Sequence, residues 1–256
     1  MRNNLSVIGR VFFGVAIAGM GLLTIYYRDF PYMLIPPKHS WIPGLAPIAY
    51  LIGALLVLAG ACIVFEKKIR LVSLLLGSVL LLIFCFYFIP FGLVSSNYKS
   101  FSDWENAAKE LTLCSGALII AGTVSEKNEH SFITFLSKLI PLGVIFFSIT
   151  IISYGVNHFL YAKDVADYVP SWVPFHLFWT YLGGAALIGS GLAIMLKIKP
   201  TLAATLLGAM IISWFIILHI PRIIVSPLAY MGSEIASALL ALAYSGIAFV
   251  TARRRP

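Results

Sequence analysis

Ser171–Gly184 reads SWVPFHLFWTYLGG, and Ser40–Gly53 reads SWIPGLAPIAYLIG. A shift of 131 residues lays Ser40 on Ser171, Trp41 on Trp172, Pro43 on Pro174, Tyr50 on Tyr181 and Gly53 on Gly184. The same shift continues without a gap to Gly60 and Gly191, Gly77 and Gly208, Phe84 and Phe215, and Pro90 and Pro221. Self-similarity at a fixed period is the mark of an internal repeat. The expected units are therefore residues 1–130 and 131–256.

The medium in which these units fold follows from composition. The chain has 256 residues, of which 60% are hydrophobic and 11% charged, with a mean hydropathy of +0.95. Soluble domains carry roughly 25% charged residues, so this chain cannot cover a water-facing surface of its size. Several apolar runs approach or exceed the roughly 20 residues that a helix needs to cross a hydrocarbon core. Backbone polar groups in lipid must be satisfied internally, which leaves helix bundles or closed barrels. The runs are continuous and do not alternate, so helices are expected and the lipid bilayer is the first partner.

Eight spans are read, at about 7–27, 46–65, 69–90, 108–125, 139–161, 176–196, 201–220 and 233–251. The first is expected to stay in the protein, because GMGLLTIYYRDF offers no small-x-small cleavage site. With the N-terminus inside, one side holds Arg2, Arg10, Lys67, Lys68, Arg70, Lys127, Lys138, Lys197, Lys199, Arg253, Arg254 and Arg255. The other side holds Arg28, Lys38, Lys99, Lys109, Lys163 and Arg222. By the positive-inside rule both termini are cytoplasmic. The net charge of +8 then reflects topology and not an affinity for nucleic acid. Each unit has an even number of helices, so both enter the membrane in the same direction and form a parallel repeat.

The matched residues suit a framework. Trp41 and Trp172 fit the membrane interface, where an indole keeps its N–H wet. Pro43 and Pro174 sit just ahead of a helix, where a missing N–H costs nothing. Gly53, Gly60, Gly184 and Gly191 let helices approach closely, and Ala185/Gly189 and Ala204/Gly208 add small-xxx-small spacing.

The two units differ in their ionisable residues. His158 aligns near Thr24, His176 with Leu45, His219 with Phe88, and Arg222 with Phe91, while Glu234 pairs with Glu105 if a small gap is allowed. His158, His176, His219, Arg222 and Glu234 are all expected at the outer ends of helices five to eight. Ionisable groups at membrane depth are costly and make a functional-site hypothesis. Taken singly, each also fits a helix end from which it snorkels to the interface. An imidazole donates, accepts or binds metal, so His158 and His219 suit a quinone, a haem or proton transfer.

Glu105 and Glu110, with Trp104 and Lys109, are expected to open the fourth helix, where acids complement the helix dipole. Arg10 is expected to snorkel to cytoplasmic headgroups. Cys62, Cys85 and Cys114 fall in separate spans without a CxxC pair, and are read as buried, hydrophobe-like thiols. No HExxH spacing, nucleophile elbow or Walker motif is present, and no metal site is expected.

The second unit, with GVNHF, VPSWVPFHLFWTYLGGAALIGSGLAIML, KPTLAATLLG and LHIPRI, closely resembles the DoxX-like membrane proteins. The first carries the same layout in HSWIPGLAPIAYLIGALLVLAG, KKIRLVSLLLG and FIP. The family unit has four helices, so the resemblance implies a fused pair in a bacterial inner membrane. Founding relatives include a subunit associated with thiosulfate:quinone oxidoreduction, and others belong to redox or detoxification assemblies. Many relatives carry a Glu in the unit's second helix, where this chain reads ALLVLAG and AALIGSG. The resemblance implies a membrane subunit of a quinone- or haem-linked oxidoreductase with a redox partner protein. The competing expectations are a non-enzymatic carrier of an apolar small molecule or lipid, and a membrane scaffold for another protein.

Overall fold

The computed structural model describes residues 4–31, 33–35, 45–94, 101–125, 129–228 and 232–253, without the side chains of 101–103. Trp41 and Pro43 lie outside the described residues. Eight long helices account for most of the chain: α1 (Asn4–Tyr27), α2 (Leu45–Val64), α3 (Ile69–Val94), α4 (Phe101–Ala121), α5 (Ser131–Leu160), α6 (His176–Met195), α7 (Pro200–Val225) and α8 (Ser233–Thr251). A single helical turn at Ala162–Ala166 links α5 to α6. No strand occurs among the described residues.

Seven of these helices, all but α4, are long and apolar enough to cross a membrane. The chain is thus an all-helical, multi-pass membrane protein. Helix α4 has 21 residues, about 31 Å at 1.5 Å per residue, so length does not set it apart. Its charges do: Asp103, Glu105, Lys109 and Glu110 lie in its first ten positions. These same charges misplaced the expected start at 108, seven residues late, because a hydropathy reading discards a charged first half.

Helices α4 and α8 form the centre of the bundle. Every residue from Glu110 to Ala121 is buried, and α8 buries most of its length from Ala236 to Val250. Around this pair, α1 packs on α2 and α8, α5 on α6 and α4, α3 on α4, and α7 on α8. Small residues set the spacing, as expected of membrane helices. A methyl group on Gly21 would lie 2.6 Å from the Gly53 carbonyl oxygen, and one on Gly155 would lie 2.7 Å from that of Gly184. Gly9 and Gly246 bring α1 equally close to α8, and Gly143 meets the Ser115 carbonyl between α5 and α4. The Ala204/Gly208 pair packs inward, with Gly208 against the Phe249 ring. The Ala185/Gly189 pair does not: both residues are exposed, and nothing lies within 4 Å of a methyl group on Gly189.

Backbone features recur at the spacing of the sequence match. Glu66 and Lys197 have φ of 59° and 58°, and Lys68 and Lys199 have φ of 46° and 44°. These left-handed residues turn the chain between α2 and α3, and between α6 and α7. Helices α3 and α7 each contain a five-residue π segment, Phe84–Phe88 and Phe215–His219. In each, an N–H reaches five residues back, from Ile89 to Phe84 and from Ile220 to Phe215. Pro90 and Pro221 follow at once and explain the widening. A proline lacks the N–H and its ring crowds the carbonyl four residues earlier, so the preceding turn opens. The Cys114 thiol donates to the Gly77 carbonyl at 3.3 Å, and the Ser245 hydroxyl donates to that of Gly208 at 3.0 Å. Both bonds tie a central helix to the helix that bears the π segment.

Arginines close the opposite end. Arg70 pairs with Glu129 and donates to the Ala121 and Val124 carbonyls at 3.1 and 2.7 Å. Arg253 reaches the Thr123 carbonyl at 2.6 Å. Cations at a helix C-terminus satisfy orphan carbonyls and oppose the dipole. Arg10, expected to snorkel, instead pairs with Glu66 at the same end. Partner choice across helices overrides the freedom of a long side chain.

Candidate functional site

The candidate residues stand where α5 and α7 end and where α6 and α8 begin, so chain direction brings all five to one end of the bundle. They do not form one cluster. Arg222 and Glu234 meet in a two-pronged ion pair: Nε donates to Oε2 at 2.7 Å and Nη2 to Oε1 at 2.6 Å. The fork geometry of a guanidinium on a carboxylate makes this the strong form of such a pair. The Tyr168 ring lies under the guanidinium, 4.6 Å from its carbon, as a cation–π support. Tyr168 was absent from the sequence-based set, because a loop aromatic at the interface carries no distinguishing signal.

His219 ends the π segment of α7, three residues before Arg222, which places both on one helix face. It is within electrostatic range of both Arg222 and Glu234. Its Nδ1 is buried and has no hydrogen-bond partner among the described residues. A buried ring nitrogen left unpaired costs free energy, about 1–3 kcal/mol. Such a group marks a place where a donor or acceptor from a bound molecule would be favourable.

His158 belongs to a different neighbourhood. Its Nδ1 lies 2.8 Å from the Tyr154 carbonyl oxygen, its ring lies beside Gly183 of α6, and its Cβ packs on Gly184. The framework glycine Gly184 therefore makes room for the root of this side chain, and its neighbour Gly183 for the imidazole. The acid within electrostatic range is Glu105 of α4, itself 3.0 Å from Lys109. One turn deeper, the Tyr154 and Tyr244 hydroxyls meet at 3.0 Å with their rings 5.7 Å apart, joining α5 to α8. No hydrogen bond, ion pair or ring contact joins His158 to His219 among the described residues.

His176 stands apart from both groups. It is the first residue of α6, half-buried, and its carbonyl accepts from the Thr180 hydroxyl at 3.0 Å. Beside it Trp172 is exposed, and the Trp179 indole donates to the Pro174 carbonyl at 3.0 Å. That bond gives the matched Pro174 a local purpose, anchoring the aromatic entry to α6. Trp179 also meets Trp214 of α7 edge-on at 6.3 Å.

Glu110 overturns its sequence-based explanation. With α4 starting at Phe101, it sits in the third turn, too deep to complement the helix terminus. It is fully buried, and neither carboxyl oxygen has a partner among the described residues. Among the cysteines, Cys114 is buried as expected, but Cys85 is exposed and Cys62 half-buried, because the π turn carries Cys85 to the outer face. No group of three or more His, Cys, Asp or Glu side chains able to hold a metal ion occurs among the described residues.

No model of a known family, no curated protein and no solved structure matches this chain. The class rests on the fold: a multi-pass helical membrane protein with a polar site at one end of its bundle.

Proposed function

We propose that the chain is a DoxX-like pair of four-helix units in a bacterial inner membrane, with α4 as the eighth span and both termini cytoplasmic. The recurrence of helix bounds, left-handed turns and π segments after 131 residues supports the pairing. The distribution of Lys and Arg supports the orientation.

We further propose that its site binds the carbonyl oxygen of a quinone-type ligand, as in the membrane subunit of an oxidoreductase that works with a redox partner protein. The observation that carries this reading is the unpartnered, buried Nδ1 of His219 beside the Arg222–Glu234 pair. In the tautomer with a proton on Nδ1, His219 donates to a ligand carbonyl. Arg222, held by Glu234 and Tyr168, then stabilises negative charge on that oxygen. A quinone fits these residues better than a haem, because His158 and His219 sit in separate neighbourhoods and do not present a pair of axial ligands.

The test is binding of a soluble ubiquinone or menaquinone analogue to purified protein, read by quenching of Trp179 and Trp214 fluorescence. His219→Ala is expected to weaken binding by about tenfold, the equivalent of one hydrogen bond. His158→Ala is expected to leave it unchanged. Equal affinity in wild type and His219→Ala overturns the site. Tight binding with no electron transfer from dithionite-reduced membranes moves the reading to a carrier of apolar small molecules.

A further inference from the structure

We propose that Glu110 is a proton-binding site in the interior of the bundle, a carboxylic acid whose proton exchanges with the outer face through the polar first turns of α4. The argument starts from space and partners. Glu110 has no exposed surface, and among the described residues no donor reaches either of its oxygens. An ionised carboxylate in that position, without a hydrogen bond or a counter-ion, would cost several kcal/mol after all relaxation. The titratable group in electrostatic range of it among the described residues is the Cys114 thiol on its own helix, which supplies no positive charge.

The seam it occupies is tight. One turn deeper, the Cys114 thiol bonds directly to the α3 backbone at Gly77, and a methyl group on Gly77 would come within 3.0 Å of Leu118. A proton is the ligand that this seam takes without opening. A route outward exists on α4 itself. Asn106 lies one helical turn nearer the end, and its Oδ1 accepts from Lys109 Nζ at 3.3 Å. Lys109 in turn holds Glu105, whose side chain is 37% exposed. A polar ladder thus runs from a water-accessible acid to within one turn of Glu110.

The position is also particular to the first unit. The residue 131 positions on is Ala241, buried in α8. Packing at this level of the bundle is therefore met by a methyl group, and the carboxyl of Glu110 is not needed to fill the space. This site is independent of what binds at His219.

Infrared spectroscopy of hydrated membrane films at neutral pH tests the proposal. Wild type is expected to show a carboxylic-acid C=O band that shifts on labelling with 13C-glutamate and moves in D2O. The band is expected to vanish in Glu110→Gln and to shift in Glu110→Asp, which guards against a variant that fails to fold. Absence of the band in wild type overturns the proposal, as does its persistence in folded Glu110→Gln. A band that never exchanges in D2O overturns it too, because the acid is then a sealed structural group.

Discussion

The π segments of α3 and α7 share a backbone and differ in chemistry. Each spans five residues, each precedes a proline, and each lies about two turns beyond a glycine whose carbonyl is held from the central helix. At the last position of the first stands Phe88, 2% exposed, and at that of the second stands His219. Phe91 corresponds to Arg222. One level deeper the polarity reverses, with Glu110 in the first half opposite Ala241 in the second. The same frame thus carries a shallow ion pair with a histidine in one half and a deep acid in the other. Framework positions are set by helix contact, which tolerates little, whereas the widened turn leaves side chains free to diverge. π turns of this kind often coincide with functional sites.

The comparison breaks most severely where the frame itself is overfilled. A methyl group on Gly60 would lie 2.6 Å from the Ala18 backbone nitrogen, so Gly60→Leu forces α1 and α2 apart. It is expected to destabilise the bundle by about 3 kcal/mol or more, seen as lost yield and a lower unfolding midpoint in detergent. Gly191→Leu, whose nearest obstacles are a flexible Ile152 side chain and the Ser148 carbonyl at 3.0 Å, is expected to cost less. Gly189→Leu, facing open space, is expected to change stability by no more than about 0.5 kcal/mol.

Exchanging residues between the two π segments sharpens the comparison. Phe88→His removes a buried ring and leaves an imidazole without a partner, at an expected cost of about 3 kcal/mol in thermal or denaturant unfolding. His219→Phe is expected to leave stability unchanged or slightly raised while weakening ligand binding by at least about tenfold. A stability loss as large as that of Phe88→His would show that the imidazole is part of the frame.

The ion pair gives a smaller effect. Arg222 and Glu234 are partly exposed, with side chains 35% and 19% accessible, so Glu234→Ala is expected to cost about 1–2 kcal/mol and not the full penalty of a buried pair. The double variant Arg222→Phe/Glu234→Ala, which copies the aromatic of the first half, is expected to recover most of that loss. Full additivity of the two single effects would show that the pair is not coupled. Pro221→Ala also has a small expected effect: it restores an N–H to α7 and changes stability by less than about 1 kcal/mol. Its readout is amide exchange at Ile220, which slows if the π turn closes to an α turn.

Much of the fold was legible because a bilayer imposes simple rules. Six of the seven apolar helices start within three residues of their expected bounds, with α6 at His176 and α8 at Ser233 as read from the sequence. Helix α5 starts eight residues early because Ser131–Ser137 is already helical. Helix α4 was misjudged by those same rules. Its charges lowered the apolar signal, and so Glu110 was assigned to a first turn that it does not occupy. The candidate residues were legible as a set that shares one end of the bundle. Their division was not, because it depends on which helices touch. His158 turns to α6 at Gly183 and Gly184, whereas Arg222 pairs with Glu234 twelve residues away in the chain.

The sequence by itself determined the medium, the helices and the spacing of 131 residues, because hydropathy and helical length act locally and glycine contacts repeat with the chain. Only the tertiary structure decided that α4 and α8 form the centre and that Arg222 holds Glu234. It also decided that, among the described residues, His219 keeps an unpaired nitrogen and Glu110 lies without a partner. These are facts of proximity between distant segments, and they follow from how the helices close on one another.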